Sequence, residues 1–356
     1  MRKLRKLRLA VVSKDNGDTK MLLPIAREAR QLGHKVIILA EGVGVDHYIK
    51  QGVKTFFRDV SNPDPKTDFD LEFLLSMAKP DAVLVGFPGP NNLSGKISAV
   101  ANDMGIPLIG VEDYWGGVKR YLEFKYSLLL TIDDYAAEIA RNALGPKVPI
   151  SVIGNHAVSG LDYRSPEAVL AGMEELKKRF NQVFVFGGGG GKHTTEELKL
   201  LVPSLQKTPG NWCLVPRYHP NLKKKLAEEI GDQRTFQEVW DELLLPLGDR
   251  VVRLDAGNSD DMAVVSDAYF SGLGSSMNTA IYSGKPTIAV VTAATMEAIR
   301  DSKLDAVPAV ELGGAKTLTE VQDLQPLLVP PNDEVRKKFK PLDANLAVRK
   351  IEKLLF

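Results

Sequence analysis

Near the middle of the chain, residues 182–194 read QVFVFGGGGGKHT. A short apolar run, Val183–Phe186, is followed by five consecutive glycines, Gly187–Gly191, and then by Lys192 and His193. The next residues start an amphipathic stretch, so the pattern indicates a strand, a glycine loop and the start of a helix. A loop of this kind lets backbone N–H groups and a helix N-terminus approach a phosphate closely. We therefore predict that a second nucleotide-binding-type domain begins here.

The length and composition predict a globular protein of two domains. The chain has 356 residues, of which 44% are hydrophobic. The formal net charge of +1 argues against a protein that binds nucleic acid over much of its surface. Because Cys213 is the single cysteine, an intrachain disulfide and a cysteine-based metal site are excluded. It lies in an apolar run, as expected for a small buried side chain. These features fit a reducing cytoplasm.

The first residues, MRKLRKLRLAVVS, are basic, but their apolar run is too short for a signal peptide or a membrane span. We interpret them as a solvated lead-in to the first strand. The alternative is peripheral contact with anionic lipid through Arg2, Lys3, Arg5, Lys6 and Arg8. We therefore predict a cytoplasmic protein, with contact at a membrane surface as the alternative.

Unbroken apolar runs alternate with helical patterns along both halves of the chain. Such βαβ units indicate parallel sheets that are covered on both faces, and hence an α/β fold. Ligands of these sheets bind at the carboxyl ends of the strands, so the residues that follow each strand are candidates for a site. The predicted strands are Leu7–Val12, Val36–Leu39, Thr55–Phe57, Ala82–Val85, Pro107–Val111, Leu128–Ile132, Ile150–Ile153, Val183–Phe186, Cys213–Val215, Val251–Leu254, Ala268–Ser271, Thr287–Val291 and Val310–Leu312.

A candidate binding motif, VPRYHP at Val215–Pro220, follows one of these strands. Arg217 can form bidentate hydrogen bonds to a phosphate. His219 can donate one hydrogen bond when neutral and two when charged. The alternative is a turn held by Pro216 and Pro220, with a structural His219. Because the glycine loop lies in the same half of the chain, we favour a role in ligand binding.

A second turn of small residues lies in Ser271–Pro286, SGLGSSMNTAIYSGKP. Gly274, Ser275 and Ser276 lead into a predicted helix that ends at Gly284. This turn offers bare N–H groups and hydroxyl donors. The alternative is an ordinary N-capped helix. Two helix starts at the carboxyl ends of strands in one domain could hold one diphosphate between them.

Together these elements resemble the C-terminal domain of GT-B nucleotide-sugar enzymes, namely the inverting glycosyltransferases and the UDP-N-acetylglucosamine 2-epimerases. The resemblance covers roughly Val183–Val291 and rests on Gly187–Gly191, Arg217–Pro220 and Gly274–Pro286. In that family these elements bind the nucleotide diphosphate. The resemblance implies a nucleotide sugar, expected to be a UDP-sugar, as substrate, with no metal and no further cofactor. The diphosphate and nucleotide would then be bound by Gly188, Gly189, Gly190, Gly191, Lys192, Arg217, His219, Gly274, Ser275, Ser276, Asn278 and Thr279.

One position departs from the family. Many members hold the ribose hydroxyls with a glutamate on the helix that begins near Ser276. Counting back from Gly284–Pro286, Thr279 stands at that position. The resemblance therefore implies that Asn278 or Thr279 takes the place of the carboxylate.

The first half of the chain is also similar to this family. The stretch Ile106–Glu112, IPLIGVE, is similar to the epimerase segment that carries a catalytic glutamate, which puts Glu112 in that role. The epimerases also carry an aspartate in the turn after the preceding strand, where this chain has GFPGPNN at Gly86–Asn92. This difference favours glycosyl transfer over epimerisation.

An inverting transferase needs a base that deprotonates the acceptor hydroxyl. Four carboxylates that follow strands are candidates: Asp15, Asp18, Glu112 and Asp113. For Asp15 and Asp18 the alternative is a polar turn with a helix cap. We interpret Asp134 as the cap of the helix that follows it. The five histidines show no paired ligand spacing, so we expect no metal site.

The resemblance implies two Rossmann-like domains that face each other across a cleft, which is the GT-B architecture. We predict an N-terminal domain on the acceptor side at residues 1–154 and an interdomain connection at 155–180. The nucleotide-sugar domain is predicted at 181–331. Terminal helices at 332–356 are predicted to pack back on the first domain.

The predicted function is metal-independent transfer of a sugar from a nucleotide donor to a glycan, lipid or small-molecule acceptor, as in polysaccharide biosynthesis, with a carboxylate as the base. Two alternatives stay open. One is an enzyme like the UDP-N-acetylglucosamine 2-epimerases, which needs no acceptor. The other is a non-catalytic protein that binds a nucleotide or glycan and has kept the fold. The sequence does not predict an oligomeric state.

Overall fold

The computed structural model describes residues 5–53, 56–57, 71–87, 92–159, 166–218 and 225–356. The chain divides into two compact units, one formed by Met1–His156 with Lys340–Phe356 and the other by Ala157–Phe339. Each unit is built on its own parallel sheet, covered by helices. This confirms the predicted α/β class with two Rossmann-like domains.

The first unit contains a seven-stranded sheet in the order β3-β2-β1-β4-β5-β6-β7. All of its strand pairs are parallel. The strands are fully apolar at their centres, because helices cover both faces and leave no solvated side. Their bounds are β1 Arg8–Ser13, β2 Lys35–Ala40, β3 Phe56–Phe57, β4 Ala82–Val85, β5 Leu108–Val111, β6 Leu128–Thr131 and β7 Ile150–Val152.

The helices of the first unit turn their apolar faces to this sheet. Residues from α1, among them Met21, Leu22 and Ile25, are fully buried in the core together with β1 and β2. This burial is the main source of stability for a helix of this kind. The bounds are α1 Asn16–Gln31, α2 Val43–Lys50, α3 Leu71–Ala78, α4 Leu93–Asp103, α5 Asp134–Leu144 and α14 Ala344–Leu355, with a short 3₁₀ helix at Gly117–Arg120.

The last helix, α14, packs into the first unit although it lies at the end of the chain. Its residues Ala347, Val348 and Ile351 are buried in the same core as α1. Polar contacts at its surface fix the register, since Asn345 Nδ2 donates to Glu28 Oε1 at 2.7 Å. The chain returns to the first unit at Lys340. Of the predicted terminal segment 332–356, residues 332–339 therefore belong to the second unit.

The second unit contains a five-stranded sheet in the order β12-β11-β10-β8-β9, again with parallel pairs only. Its strands are β8 Gln182–Gly188, β9 Trp212–Tyr218, β10 Ala268–Ser271, β11 Thr287–Val290 and β12 Lys316–Leu318. Its helices are α6 Glu167–Arg179, α7 Gly191–Lys207, α8 Phe236–Leu244, α9 Ser259–Val265, α10 Ser276–Tyr282, α11 Ala293–Asp301, α12 Pro308–Glu311 and α13 Asp333–Arg336.

Two predicted strands of the second half are wrong. Val251 makes a single bridge to Leu214, and the run that follows it forms no strand. Val310–Leu312 lies at the end of α12, because Pro308 occupies the first turn of that helix, where its missing N–H costs nothing. The edge strand is instead β12, a few residues further along the chain.

The glycine run is shared between regular elements. Gly187 and Gly188 continue β8 and pair with Arg217 and Tyr218 of β9. Gly191 is already the first residue of α7. The predicted five-residue loop is therefore wrong in its extent, because only 189–190 connect the strand to the helix.

The basic N-terminus is partly described. Arg5 donates to Asp81 Oδ1 at 2.7 Å, and the Arg8 N–H donates to Asp81 Oδ2 at 2.7 Å. These contacts fix the start of β1 beside β4. Arg2 and Lys3 lie outside the described residues. Within the described part of the chain, no helix has both the length and the apolar character needed to cross a membrane.

Candidate functional site

A group of carboxyl side chains lies at the carboxyl ends of β1 and β5 in the first unit. Asp18, in the first turn of α1, is 1% exposed. Its Oδ2 accepts a hydrogen bond from the Lys14 N–H at 3.0 Å. Burial, and next the charge of Asp113, raise the pKa of Asp18 well above its ordinary value. This carboxyl group is therefore held in a poorly solvated place beside a second acid.

The side chain of Asp18 also fills the space at the end of β4. A Cβ atom built on Gly86 would come within 2.8 Å of Asp18 Oδ2. Gly86 therefore has no room for a side chain, and the acid at this point is supplied by α1. The rest of the turn, residues 88–91, lies outside the described part of the chain.

Asp113 follows β5 and faces the start of α1. A Cβ atom on Gly17 would lie 3.1 Å from Asp113 Cγ, so the carboxyl group rests against the α1 backbone. Burial raises the pKa of Asp113 to about 7; the Asp15 charge raises it further and the Arg120 charge opposes the rise. Asp15 itself is exposed, and it stands at the N-cap position of α1 without a side-chain capping bond. Asp15, Asp18 and Asp113 therefore lie near one another, as their electrostatic coupling requires.

Glu112 is the most buried acid of the group, with no exposed surface. Its Oε1 accepts a hydrogen bond from the Val118 N–H at 3.0 Å, while its Oε2 has no hydrogen-bond partner among the described residues. Burial raises the pKa of Glu112 to about 8, and the charges of Asp113 and Asp133 add to the effect. At neutral pH this group is a proton donor, with one oxygen left unpaired.

Asp133, which also follows a predicted strand, belongs to the same neighbourhood. Its Oδ1 accepts from the Ala136 N–H at 2.7 Å and caps α5, and its Oδ2 accepts from Trp115 Nε1 at 2.7 Å. Burial raises the pKa of Asp133 to about 6. The interpretation of Asp134 as the cap was wrong, since Asp134 is the first residue of the helix. Asp133 thus holds the Trp115 side chain in place. We call the four residues Asp15, Asp18, Glu112 and Asp113 the acidic cluster.

In the second unit, the predicted binding residues that the structure describes lie at the carboxyl ends of β8, β9 and β10 and on the helices α7 and α10. Ser271 connects two of the loops: its Oγ donates to the Gly187 carbonyl at 2.7 Å and accepts from the Gly274 N–H at 3.0 Å. The glycine run and the turn at 271–276 are therefore neighbours, as β8 and β10 are adjacent strands. Ser275 is exposed, whereas Ser276 is buried and bonded to the Tyr269 hydroxyl.

Four of the five glycines are required by packing rather than by a ligand. A Cβ on Gly187 would lie 2.8 Å from Tyr269 Cζ, and one on Gly188 would lie 2.8 Å from a methyl group of Thr194. Gly190 and Gly191 would meet the His193 ring and the side chain of Phe236. Only at Gly189 is the nearest atom 3.8 Å away, so only this position is open to a ligand.

The start of α7 already holds a carboxylate of this chain. The Lys192 N–H donates to Glu229 Oε1 at 2.7 Å, and Lys192 Nζ donates to Glu297 Oε2 at 2.8 Å. These residues line a cavity of about 490 Å³ together with Gly189, Gly190, Gly191, His193, Lys225, Ala294, Ala298 and Asp301. A phosphate that binds at this helix start must therefore displace Glu229 or use the Gly189 backbone beside it.

Arg217 is half-buried and tied to backbone carbonyl groups. Its Nη1 donates to the Leu254 carbonyl at 2.5 Å, and its Nη2 donates to the Gly257 carbonyl. This arrangement fixes the loop after Val251 and leaves the guanidinium group fewer donors for a phosphate. His219, the other basic residue of the motif, lies outside the described residues.

On α10, Asn278 and Thr279 are both buried. The Thr279 hydroxyl lies 2.9 Å from the Ala157 carbonyl and 3.0 Å from Asp260 Oδ1. It therefore has partners within its own unit, and a carboxylate, that of Asp260, stands next to it. The Asn278 Oδ1 atom is buried and has no hydrogen-bond partner among the described residues, so it can accept from a ligand.

The sequence also missed a buried acid on α7. Glu197 has no exposed surface, accepts a hydrogen bond from the Gly272 N–H, and lies 3.3 Å from the Thr295 hydroxyl. Burial raises its pKa to about 8. Because a glutamate in the first turns of an amphipathic helix is usually solvated, its pattern gave no signal. Its place beneath the 271–276 turn makes it a positioning residue for that turn.

Among the described residues, no group of three or more His, Cys, Asp or Glu side chains is arranged to hold a metal ion. Burial instead raises the pKa values of Asp18, Glu112 and Asp113. Such an arrangement suits proton transfer, which works best with groups whose pKa lies near the working pH.

Two parallel α/β units of this kind, with the last helix returned to the first unit, form the fold of the GT-B nucleotide-sugar enzymes. The chain is similar in structure to the UDP-GlcNAc 2-epimerase from Methanocaldococcus jannaschii, with 16% sequence identity over 98% of this chain and 100% of that one, and a TM-score of 0.67. It is similar to MnaA of S. aureus, solved with UDP, with 15% identity over 98% and 95% of the two chains and a TM-score of 0.66. It is also similar to a glycosyltransferase from Rickettsia africae, with 15% identity over 99% and 98% and a TM-score of 0.64. No family model matches the sequence. No curated protein matches it in sequence either.

Proposed function

We propose that this protein is a nucleotide-sugar enzyme that acts on a UDP-N-acetylhexosamine as a 2-epimerase. The observation that carries the proposal is the acidic cluster, in which Asp18 brings a carboxyl group to the end of β4 beside Asp113. The sequence comparison favoured glycosyl transfer because the turn at Gly86–Asn92 lacks an aspartate. With Asp18 in the space above Gly86, that reason loses its force.

Inversion at carbon 2 needs a base that removes the proton from one face while the bond between carbon 1 and the UDP oxygen breaks, which leaves a double bond between carbons 1 and 2. An acid would then protonate carbon 2 on the other face while UDP re-forms its bond to carbon 1. Both roles work best when the group titrates near the working pH. The pKa values of Asp113 and Glu112, raised to about 7 and about 8, meet this condition. We assign Asp113 to the base and Glu112 to the acid, because the free Oε2 of Glu112 has no partner in the described structure to hold its proton. Asp18 would interact electrostatically with Asp113.

The second unit would bind the nucleotide. Gly189 offers an open backbone approach, and Ser275 an exposed hydroxyl. The unpartnered Asn278 Oδ1 would accept a hydrogen bond from a ribose hydroxyl or a base N–H. Asp260, which accepts a hydrogen bond from Thr279, adds a carboxylate next to α10. Departure of the diphosphate would be stabilised by backbone N–H groups that are already in place.

Glycosyl transfer is the second candidate. The likeness to the Rickettsia africae glycosyltransferase, at a TM-score of 0.64, is close to that of the epimerases and favours it. In a transferase one carboxylate of the acidic cluster would deprotonate the acceptor hydroxyl. Transfer requires an acceptor, whereas epimerisation does not.

The difference between the two candidates defines the experiment. The protein is incubated with UDP-N-acetylglucosamine alone, and the sugar is followed by proton NMR. The proposal predicts a second N-acetylhexosamine signal without any acceptor, and its absence in the Asp113→Asn variant. Consumption of the substrate only after an acceptor is added would favour transfer.

A further inference from the structure

A second cavity lies in the first unit and is separate from the acidic cluster. It measures about 540 Å³ and is lined by Asn92, Gly95, Lys96, Arg120, Tyr121, Glu123 and Phe124. This volume falls within the range of small-molecule sites in proteins. It is formed by the start of α4 and by the segment that follows the 3₁₀ helix at Gly117–Arg120.

Two exposed cations, Lys96 and Arg120, line this cavity. The guanidinium group of Arg120 lies over the Tyr114 ring, 5.1 Å from its centroid, which orients it without neutralising its charge. Among the described lining residues Glu123 is the one acid, so their formal charge is positive. The cavity therefore favours a ligand that carries an anionic group.

The rest of the lining suits a ring with hydroxyl groups. The rings of Tyr121 and Phe124 are stacked, with centroids 6.0 Å apart and planes inclined at 25°, and they give the cavity an aromatic wall. Tyr121 is held in place because its hydroxyl accepts from Asn92 Nδ2 at 2.7 Å. The exposed Glu123 carboxylate can accept hydrogen bonds from hydroxyl groups of a ligand.

We propose that this cavity binds a sugar that carries a phosphate or a carboxylate group. The anionic group would bind Arg120 and Lys96, the ring would lie on Tyr121 and Phe124, and a hydroxyl group would donate to Glu123. The proposal does not depend on the nucleotide-sugar activity, because every residue that it uses lies in the first unit, outside the acidic cluster.

Binding is tested by calorimetric titration with four probes: glucose 6-phosphate, glucuronate, glucose and inorganic phosphate. The two sugar acids separate a phosphate ligand from a carboxylate ligand, while glucose lacks the anion and inorganic phosphate lacks the ring. We expect one sugar acid to bind at least ~10-fold more tightly than glucose and inorganic phosphate, since hydrogen bonds to charged groups are stronger than those to neutral groups. Arg120→Ala should weaken that binding by ~10-fold or more, and Arg120→Lys by less.

Lys125→Ala is the matched control, because Lys125 is an exposed cation on the same segment that does not line the cavity. It should bind the sugar acid as the wild-type protein does. Thermal unfolding of each variant shows that a loss of binding is not a loss of fold. Equal affinity of the sugar acid for wild type and for Arg120→Ala, or no binding of either acid to wild type at millimolar concentration, would overturn the proposal.

Discussion

The carboxyl group of Asp18 takes the place of a side chain at Gly86: a Cβ atom on that glycine would lie 2.9 Å from Asp18 Cγ and 2.8 Å from Oδ2. The acid Asp18 of α1 thus lies at the end of β4, although the turn that follows β4, Gly86–Asn92, contains no acidic residue. Burial, and next the charge of Asp113, raise the pKa of Asp18, so the two acids interact. The proposed proton transfer depends on this pair.

Gly86→Ala tests this relationship by filling the space that Asp18 occupies. The added methyl group must push the Asp18 side chain aside, so we expect a loss of stability of about 1–3 kcal/mol, typical of overpacking, and a loss of activity. Gly95→Ala is the control, because the nearest atom to its Cβ, Cε1 of Tyr121, is 3.6 Å away. Alanine in this helix should be neutral or stabilise by about 0.5–1 kcal/mol. Urea denaturation measures both; equal stability of the two variants would contradict the assignment of Asp18 to this space.

The rate of epimerisation should depend on pH in a bell shape. The base Asp113 acts when deprotonated, so the rate rises as pH passes about 7, and the acid Glu112 acts when protonated, so the rate falls above about 8. Because the groups interact, the two limbs belong to the cluster as a whole. Asp113→Asn should lower the rate by ~100-fold or more and remove the acid limb, while UDP affinity stays unchanged. An acid limb that persists in this variant would exclude Asp113 as the base.

Because the pKa of Glu197 is raised, we expect its contribution to the stability of the protein to decrease as the pH rises. Burial raises its pKa in the folded protein to about 8, above the ordinary value of 4.5. The folded state therefore binds the proton more tightly, and the contribution of Glu197 to stability is present at low pH and lost as pH rises through about 8. Glu197→Gln keeps the hydrogen bond from Gly272 but removes this loss.

The comparison is made by urea denaturation at pH 5.5 and pH 8.5. Relative to wild type, Glu197→Gln should be more stable at pH 8.5 than at pH 5.5. Glu196→Gln, at the partly exposed neighbouring position on the same helix, should show little change between the two conditions. Glu197→Ala should lose about 1–3 kcal/mol, because the Gly272 N–H is left unpaired. An identical pH dependence for Glu197→Gln and wild type would show that Glu197 is ionised in the folded protein.

Alanine variants at two positions of the glycine run distinguish a role in packing from a role in ligand binding. Gly187→Ala should be strongly destabilised, because its Cβ would collide with the buried Tyr269 ring, whereas Gly189→Ala should fold normally. If the open backbone at Gly189 receives the diphosphate, the added methyl group should weaken UDP binding by ~10-fold, since glycine permits the close approach. Calorimetry with UDP measures this loss. Unchanged affinity would place the diphosphate elsewhere in the unit.

The alternation of apolar runs predicted most strands of both sheets, because strands buried on two faces need apolar residues at nearly every position. The pattern failed at Val310–Leu312, where Pro308 starts a short helix, and at Val251, which makes only one bridge. A run of three or four apolar residues is compatible with either element, so its neighbours in space decide.

The candidate site could be predicted only in part. The positions of Asp15, Asp18, Glu112 and Asp113 after strands were enough to group them at one sheet edge. The burial of Asp18 and Glu112 was not readable from the sequence, since it arises from contacts between segments far apart in the chain. The same holds for Asp260 beside Thr279, which are brought together by the packing of α9 on α10.

The pairing of Glu229 with the Lys192 N–H also has no local signal. The two residues are 37 positions apart, and the carboxylate stands where the glycine pattern predicted a phosphate. A helix start attracts any anion, including one from the same chain. For this reason the glycine run indicates an anion-binding helix start and does not identify the anion.

The central claim is proton exchange at carbon 2 of the sugar by the acidic cluster. It is tested most directly by incubating the protein with UDP-N-acetylglucosamine in deuterated water and following the proton at carbon 2 by NMR, with Asp113→Asn as the control. The proposal predicts that solvent deuterium replaces this proton in wild type as a second N-acetylhexosamine appears, and that the control exchanges at least ~100-fold more slowly. Retention of the proton in a preparation that binds UDP would contradict it.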